Sequence, residues 1–462
     1  MMKRLRLPNT FVLLFAILAL IALATWLVPG GKYDTHLVGG KQLVDPATYH
    51  QVASNPQGLV ALLKAPIKGF VEAAQIIGFV LIVGGAFAVL QRTEAIDKLI
   101  HSIVRAHQHS PLVRAAIIPV FVTMFSLGGA TFGMNEEVIP FVLVFVPLAL
   151  ALGYDSVVGV SIPFLGSQVG FGAAFLNPFN VGIAQGIAGV QVFSGLGYRL
   201  IVWAAATAVT ILFLMWYAAR VKHNPALSPT YLLDRSRREE HQPVVSSEGM
   251  GGRHRAVLAI FALTLGAMVV GVVKYDWFID EIAALFLAMA IVVGLVGRLA
   301  TDDWVASFMQ GVKDLAPTAL VIALARGTMI LARDAHIIDT MLHALMPLVQ
   351  SSHPVLAAQK MYLIQSVINF FIHSGSGQAA LTMPIMAPLA DLVGVTRQTA
   401  ILAFQLGELS TPMIPTSGIT VGVLALARIP WLTWAKWMVP LQLIYLVLAL
   451  ALLVPPCLMQ WQ

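Results

Sequence analysis

Apolar residues in this chain come in long unbroken runs rather than at alternate positions. The first, "FVLLFAILALIALATWLV" (11–28), is long enough at 1.5 Å per residue to cross a hydrocarbon core of about 30 Å. Similar runs place spanning helices near 72–90, 198–219, 256–274, 279–297 and 314–332. Strands of a membrane barrel would alternate polar and apolar residues, and these segments do not. At 94–107 polar and apolar residues recur at helical spacing instead, which predicts an amphipathic helix lying at the interface. The pattern predicts an all-α polytopic membrane protein.

The pattern also repeats. "GAFAVLQRTEAIDKLIH" (85–101) aligns without gaps on "GTMILARDAHIIDTMLH" (327–343), an offset of 327 − 85 = 242 that matches Asp97 to Asp339 and His101 to His343. "PLALALGYDSVVGVSIPFLGS" (147–167) aligns on "PLADLVGVTRQTAILAFQLGE" (388–408), an offset of 388 − 147 = 241 that matches Pro147 to Pro388 and Gly166 to Gly407. Matched Asp, His, Pro and Gly point to a duplication. Five full crossings separate the two copies if the stretch near 111–152 re-emerges on its own side, and an odd number inverts the second copy. Inverted repeats mark secondary transporters, whose sites lie where discontinuous helices meet.

That stretch reads as a re-entrant hairpin. Its arms, from Pro111 to Gly128 and from Glu136 to Leu152, are each about 17 residues, or about 25 Å of helix. "GGATFGMN" (128–135) makes the turn between them, and two full spans with a short loop is the alternative. "FFIHSGSGQAALTMP" (370–384) holds the same place in the second copy, with Gly377 against Gly133 and Pro384 against Pro140. The expected organisation is a first helix and periplasmic segment (1–66), then a first repeat (67–219) with hairpin 111–152 and broken helix 155–195. A cytoplasmic basic loop (220–255) and scaffold helices (256–300) precede a second repeat (301–462) with hairpin 355–391 and broken helix 397–425.

Composition agrees with the membrane reading: 58% of the 462 residues are hydrophobic and 11% charged, well under the ~25% of a soluble domain. The net charge of +6 does not call for a nucleic acid. The excess gathers in "MMKRLR" (1–6) and in 220–255, which carries seven Arg and Lys, and cytoplasmic loops hold such residues by the positive-inside rule. The N-terminus and that loop are therefore expected in the cytoplasm and the C-terminus in the periplasm, in a bacterial inner membrane. No small-residue cleavage site follows the first run, so it is read as a retained helix. The one cysteine, Cys457, allows no intrachain disulfide, and the chain has no HExxH or GxSxG motif to support an enzyme.

Candidate chemistry lies where polar residues break the apolar pattern. Asn135, Glu136 and Glu137 follow the first glycine-rich turn, at a helix start that favours negative charge. They offer a site for a cation, a proton or an ammonium group. "GSQVGFGAAFLNPFNVG" (166–182) is broken by its glycines and by Asn177, Pro178 and Asn180. Its counterpart "GELSTPMIPTSG" (407–418) offers oxygens from Glu408, Ser410, Thr411, Thr416 and Ser417. Arg326, near mid-span, either pairs with a carboxylate or holds one on the solute. His373 beside the second turn is read as structural, and His101 and His343 as solvated.

These residues carry a resemblance. "GMNEEVIPF", "ALGYD", "LNPF", "NFFIHSGSGQAALTMPIMAPLADLVGVTRQTAILAFQ", "IPTSG" and "IPWLTWAKW" resemble the YfcC-type carriers. These are described as basic amino acid (arginine/ornithine) antiporters, a branch of the DcuC-like anaerobic four-carbon dicarboxylate carriers in the ion-transporter superfamily. The resemblance implies a homodimer with a scaffold and a moving domain, working as an elevator. It places the solute among Asn135, Glu136, Glu137, Asn177 and Asn180 in one half, and among Ser374, Ser376, Gln378, Glu408, Thr411, Thr416 and Ser417 in the other. Many members read Gly-Asp-Gly-Phe-Thr-Asn where this chain has Gly407-Glu408-Leu409-Ser410-Thr411-Pro412.

The expected function is secondary active transport of a small charged solute. A basic amino acid antiporter comes first and a cation-coupled dicarboxylate carrier second. A channel is the rival from another class. Three carboxylates from the two halves, Glu136, Glu137 and Glu408, are expected to make one negative cavity. No cofactor is expected beyond coupling Na⁺ or H⁺.

Overall fold

The computed structural model describes residues 10–38, 41–240, 250–275, 277–349 and 353–462. The basic start 1–6 and the part of the basic loop at 241–249 lie outside the described residues. Helix α1 (Thr10–Leu27) leads into four short strands, β1 (Gly31–Lys32), β2 (Thr35–Val38), β3 (Lys41–Val44) and β4 (His50–Gln51). β1 pairs with β4 and β2 with β3, both antiparallel. Then come α2 (Leu59–Glu72), α3 (Ala74–Arg92), α4 (Ala95–His109), α5 (Pro111–Thr131), α6 (Val142–Ala151), α7 (Ser156–Gly172), α8 (Ile183–Ala188) and α9 (Leu196–His223). The basic loop holds α10 (Tyr231–Glu240), followed by α11 (Gly252–Tyr275) and α12 (Ile279–Val296). The second series is α13 (Thr301–Asp334), α14 (Ile337–Leu345), α15 (Pro354–Asn369), α16 (Gly375–Leu392), α17 (Arg397–Gly407), α18 (Gly418–Leu426), α19 (Trp431–Leu452) and α20 (Val454–Leu458).

Among the described residues nine helical segments are long and apolar enough to cross a membrane. Their outer faces leave large apolar side chains uncovered, including Leu23 and Trp26 on α1, Leu212 and Trp216 on α9 and Val447 on α19. Water would penalise such faces, whereas lipid tails cover them at no cost. This is a multi-pass membrane protein.

The order of elements from α3 to α9 returns from α13 to α19. Two glycines matched by sequence occupy equivalent crossings. Gly166 on α7 lies against Val122 and Phe125 of α5, and Gly407 at the end of α17 lies against Gln365 and Ser366 of α15. The expected break of one domain between residues 66 and 67 falls inside α2, a single helix with Pro66 within it.

Two glycine-rich stretches behave differently from the sequence reading. The first arm is not about 17 residues long: α5 has 21, running through Gly128 and Gly129 to Thr131. Gly129 packs against a neighbouring helix rather than turning the chain, while Gly128 lies against Phe132 and Met134 of its own turn. A Cβ on Gly129 would stand 2.2 Å from the Ser167 carbonyl, and one on Gly170 would stand 2.0 Å from that of Ser126. Small residues let the two backbones approach this closely. The turn comes later, at Gly133, whose φ of +76° is the left-handed region that suits glycine. Likewise Gly166 and Gly170 lie within α7, which ends at Gly172; residues 173–177 are non-helical, and a π turn (Pro178–Gly182) starts after Asn177. Gly170→Ala is expected to cost about 1–3 kcal/mol by overpacking. Gly186→Ala is expected to be neutral, since its Cβ would meet nothing within 4 Å. The unfolding temperatures of the purified variants check both.

The loop between the repeats is partly built into the fold. Asp234 on α10 accepts hydrogen bonds from Ser156 N at 3.0 Å and Thr230 Oγ1 at 2.7 Å. Arg237 donates to Ser156 Oγ at 2.6 Å and to the Ala427 carbonyl, and Arg238 donates to the Tyr154 carbonyl at 2.7 Å. Asp155, the N-cap of α7, takes Tyr217 OH at 2.5 Å and Ser228 Oγ at 2.7 Å. A ten-residue helix thus clasps the start of α7 in one repeat and the end of α18 in the other. His101 and His343 are both exposed, and the ring of His343 also stacks on Tyr49 at 3.8 Å.

Candidate solute-binding site

A cavity of about 260 Å³ opens where the two helix–turn–helix tips approach each other. From the first tip it is lined by Phe132, Gly133, Asn135, Glu136 and Glu137, and from the second by His373, Ser374, Gly375 and Ser376. The broken segments supply Phe171 and Phe179 on one side and Ser417 to Ile419 on the other. Arg326 of α13, Glu72 at the end of α2, Gln75 and Ile76 of α3, and Trp277 and Phe278 before α12 close the wall.

Local chemistry holds the tips in place. Asn135 N donates to Glu137 Oε2 at 2.7 Å, and Gln168 Nε2 on α7 donates to Asn135 Oδ1 at 2.8 Å. Asn177 accepts Phe179 N at 2.8 Å and donates to the Gly129 carbonyl at 3.1 Å, bracing the first tip from behind. A Cβ on Gly133 would stand 2.7 Å from Phe179 and 2.8 Å from Asn177. Ser374 caps α16, accepting Gly377 N at 3.3 Å. Gln378 donates to the carbonyl and side chain of Gln365, Thr411 accepts from Asn369 at 2.9 Å, and Thr416 donates to the Phe370 carbonyl at 2.6 Å.

The residues named from sequence therefore divide in two. Asn135, Glu136, Glu137, Arg326, Ser374, Ser376 and Ser417 line the cavity. Asn177, Asn180, Gln378, Glu408, Thr411 and Thr416 lie behind it, where their side chains bond to the backbone and amides that shape the tips. The expectation that three carboxylates share one cavity is corrected here. Glu408 is buried behind the second tip, and the third carboxylate on the cavity wall is Glu72.

Glu72 was missed although it interrupts an apolar run, the same signal that marked Arg326. Its partners are legible only in three dimensions: Arg326 Nη2 lies 3.1 Å from Oε1, and Arg333 Nη2 lies 2.9 Å from Oε2. Arg326 thus pairs with a carboxylate, as one of its two readings expects, and also lines the cavity. Three polar atoms on this wall are buried without a partner: Arg326 Nε, His373 Nδ1 and Ser417 Oγ. Buried polar atoms are ordinarily satisfied, so water or a polar guest in the cavity would complete these three. Its charge is three carboxylates against one guanidinium, with the faces of Phe132, Phe171, Phe179 and Phe278 between them. Such a wall suits a cation that also carries a carboxylate.

The model of the DcuC family, described as C4-dicarboxylate anaerobic carrier, matches residues 7–456. The chain is 36% identical, over 94% of its length and 93% of the relative's, to the Escherichia coli K12 protein named "Putative basic amino acid antiporter YfcC". It is 28% identical to an uncharacterized Haemophilus influenzae protein, over 95% of this chain and 94% of the relative. Among solved structures it resembles the Alcanivorax borkumensis YdaH transporter, with 16% identity, a TM-score of 0.43 and coverage of 98% of this chain and 99% of that one. That likeness is too distant to carry an argument.

Proposed function

The chain belongs to the DcuC family of membrane transporters, and from that premise we propose that it exchanges basic amino acids of the arginine/ornithine type across the bacterial inner membrane. The observation that carries this reading is the cavity wall. Glu136 and Glu137 line it and, among the described residues, make no ion pair, while Glu72 is held by Arg326 and Arg333. A basic side chain would sit against Glu136, Glu137 and the phenylalanine rings, and the solute's own carboxylate would meet Arg326.

The mechanism is alternating access of the elevator type. The two hairpins (α5–α6 and α15–α16) and the two broken helices (α7–α8 and α17–α18) would move as one body. α2, α3, α11, α12 and α13 would complete the cavity as the scaffold of a homodimer. Two features support this reading: the close glycine crossings within each hairpin–helix pair, and a cavity whose wall is shared between the two groups of helices. On this reading the basic segments 1–6 and 220–255 keep the N-terminus in the cytoplasm, and nine full crossings with two re-entrant hairpins would put the C-terminus in the periplasm. A reporter fused after Gln462 that reads cytoplasmic would contradict that count.

The second reading, a cation-coupled dicarboxylate carrier, has Arg326 and the family's description in its favour. Counterflow in proteoliposomes separates the two. Labelled arginine, ornithine and lysine are expected to exchange, with succinate and fumarate neither carried nor competing. The opposite result would overturn the substrate and leave the carrier. Single-channel currents would overturn carrier and substrate together.

A further inference from the structure

Glu408 is a buried acid that the solute cavity leaves unused. It follows α17 where the second broken helix is interrupted, is 4% exposed, and accepts one hydrogen bond, from Asn180 Nδ2 at 2.8 Å. Other bonds fix how Asn180 is turned: it donates to the Phe171 carbonyl at 2.8 Å, and its Oδ1 accepts Val181 N. The amide therefore presents N–H, not oxygen, to the carboxyl group. Among the described residues Glu408 makes no ion pair, and the side chain that acts on it is Asn180.

The titratable groups on the elements packed around it lie elsewhere. Asp155 and Arg397 stand at the far ends of α7 and α17, Asp391 at the far end of α16, and Lys360 and Tyr362 in the middle of α15. Lys436 is exposed on α19, where Tyr445 bonds to Thr210, and the buried Arg199 of α9 donates to Gln398 and Gln405 of α17. His373 lines the cavity and faces the charge of Arg326. Buried and with a single donor, the acid is suited by this geometry to its neutral form. A hard metal cation would need a cage of oxygens, and the group aimed at Glu408 is an N–H. The described residues hold no group of three His, Cys, Asp or Glu fit for a metal.

The second tip is the cover over this acid. A Cβ on Gly375 would stand 3.0 Å from Glu408 Oε1 and 3.1 Å from both Asn180 Cβ and the Phe171 ring. Gly375 itself lines the cavity, so the backbone of one glycine separates the acid from the solute space. Gly375, Gln378 and Thr382 lie along one buried face of α16.

We propose that Glu408 is a proton-binding site of the transport cycle, separate from the solute cavity. It holds its proton while the tip at Gly375 is seated and releases it to water when the tip lifts. The carboxylate left behind disfavours reseating until a proton returns, so H⁺ is the coupling ion. This rests on the proposed transport cycle and adds to it one local motion within the moving body, the tip at Gly375 lifting from the break at Glu408.

The test needs no solute, and so stands apart from the substrate assay. Cys457, the one native cysteine, is replaced by Ser. Thr382→Cys, at a fully buried position on the lifting arm, is labelled in detergent with a maleimide. Its rate is divided by that of a separate Gly251→Cys reference at an exposed site, which cancels the reagent's own pH dependence. The ratio is expected to rise about tenfold from about pH 5 to about pH 8 as Glu408 loses its proton. Glu408→Gln is expected to keep the ratio low and flat, while Glu408→Asp and His373→Gln keep the rise. A flat ratio in the parent, an unchanged rise in Glu408→Gln, or a rise abolished by His373→Gln would each overturn the proposal.

Discussion

Arg326→Ala is expected to weaken arginine binding by about 10–150-fold, the range of one lost charged hydrogen bond at about 1.5–3 kcal/mol. Its guanidinium is the one cation on the cavity wall, and its Nε is buried without a partner inside the protein. The fold has a reserve against its removal, because Arg333 holds Glu72 through two bonds of 3.2 and 2.9 Å. The unfolding temperature should therefore change little while binding collapses. Arg326→Lys should not restore binding, since an ammonium cannot reproduce the planar fork that grips a carboxylate. Agmatine, which is arginine without its carboxylate, makes the discriminating ligand. If Arg326 meets the solute carboxylate, agmatine binding is spared in Arg326→Ala. Equal losses for arginine and agmatine would show instead that Arg326 acts by shaping the wall.

Neutralising the other side of the cavity should have the opposite selectivity. Glu136→Gln is expected to weaken arginine, ornithine and lysine by about 10–150-fold on the same scale. Two unit charges about 4 Å apart interact by about 4 kcal/mol at an effective dielectric of 20, so a dicarboxylate should bind no worse, and better if anything. Glu137→Gln is the less clean variant, because Glu137 also accepts Asn135 N and so orders the tip. Calorimetry of the purified variants with arginine and with succinate reads both directions. Weaker succinate binding in Glu136→Gln would favour the dicarboxylate reading, with a coupling cation on that carboxylate.

Much of this was legible in the sequence, because periodicity and helix breakers are local. Runs of apolar residues placed most of the long helices within a few residues of their ends, and offsets of 241 to 244 aligned the two series of elements. What sequence could not separate was two uses of one letter. Gly129 and Gly133 stand four residues apart, yet the first allows a backbone contact with Ser167 and the second allows a left-handed φ. Which one turns the chain depends on a partner helix that the local pattern does not contain. The amides and hydroxyls at the breaks divided in the same way. Ser417 faces the cavity, whereas its neighbour Thr416 turns back to the Phe370 carbonyl, and no rule of spacing separates adjacent residues at an irregular break. The length of α2 and the docking of α10 were hidden for a related reason. Glu72 finds Arg333 261 residues away, and Arg237 finds Ala427 190 residues away.

The clasp made by α10 decides where this chain can be divided. Asp234, Arg237 and Arg238 all precede Glu240, so a chain cut after that residue leaves the whole clasp on the first fragment. Its Arg237 still reaches for the Ala427 carbonyl on the second fragment. Two genes encoding 1–240 and 250–462 would therefore yield polypeptides with a built-in docking point, and their products should co-purify. Moving the cut ahead of Tyr231 transfers the clasp to the second polypeptide, which would then have to find Ser156 and Tyr154 at the open end of α7.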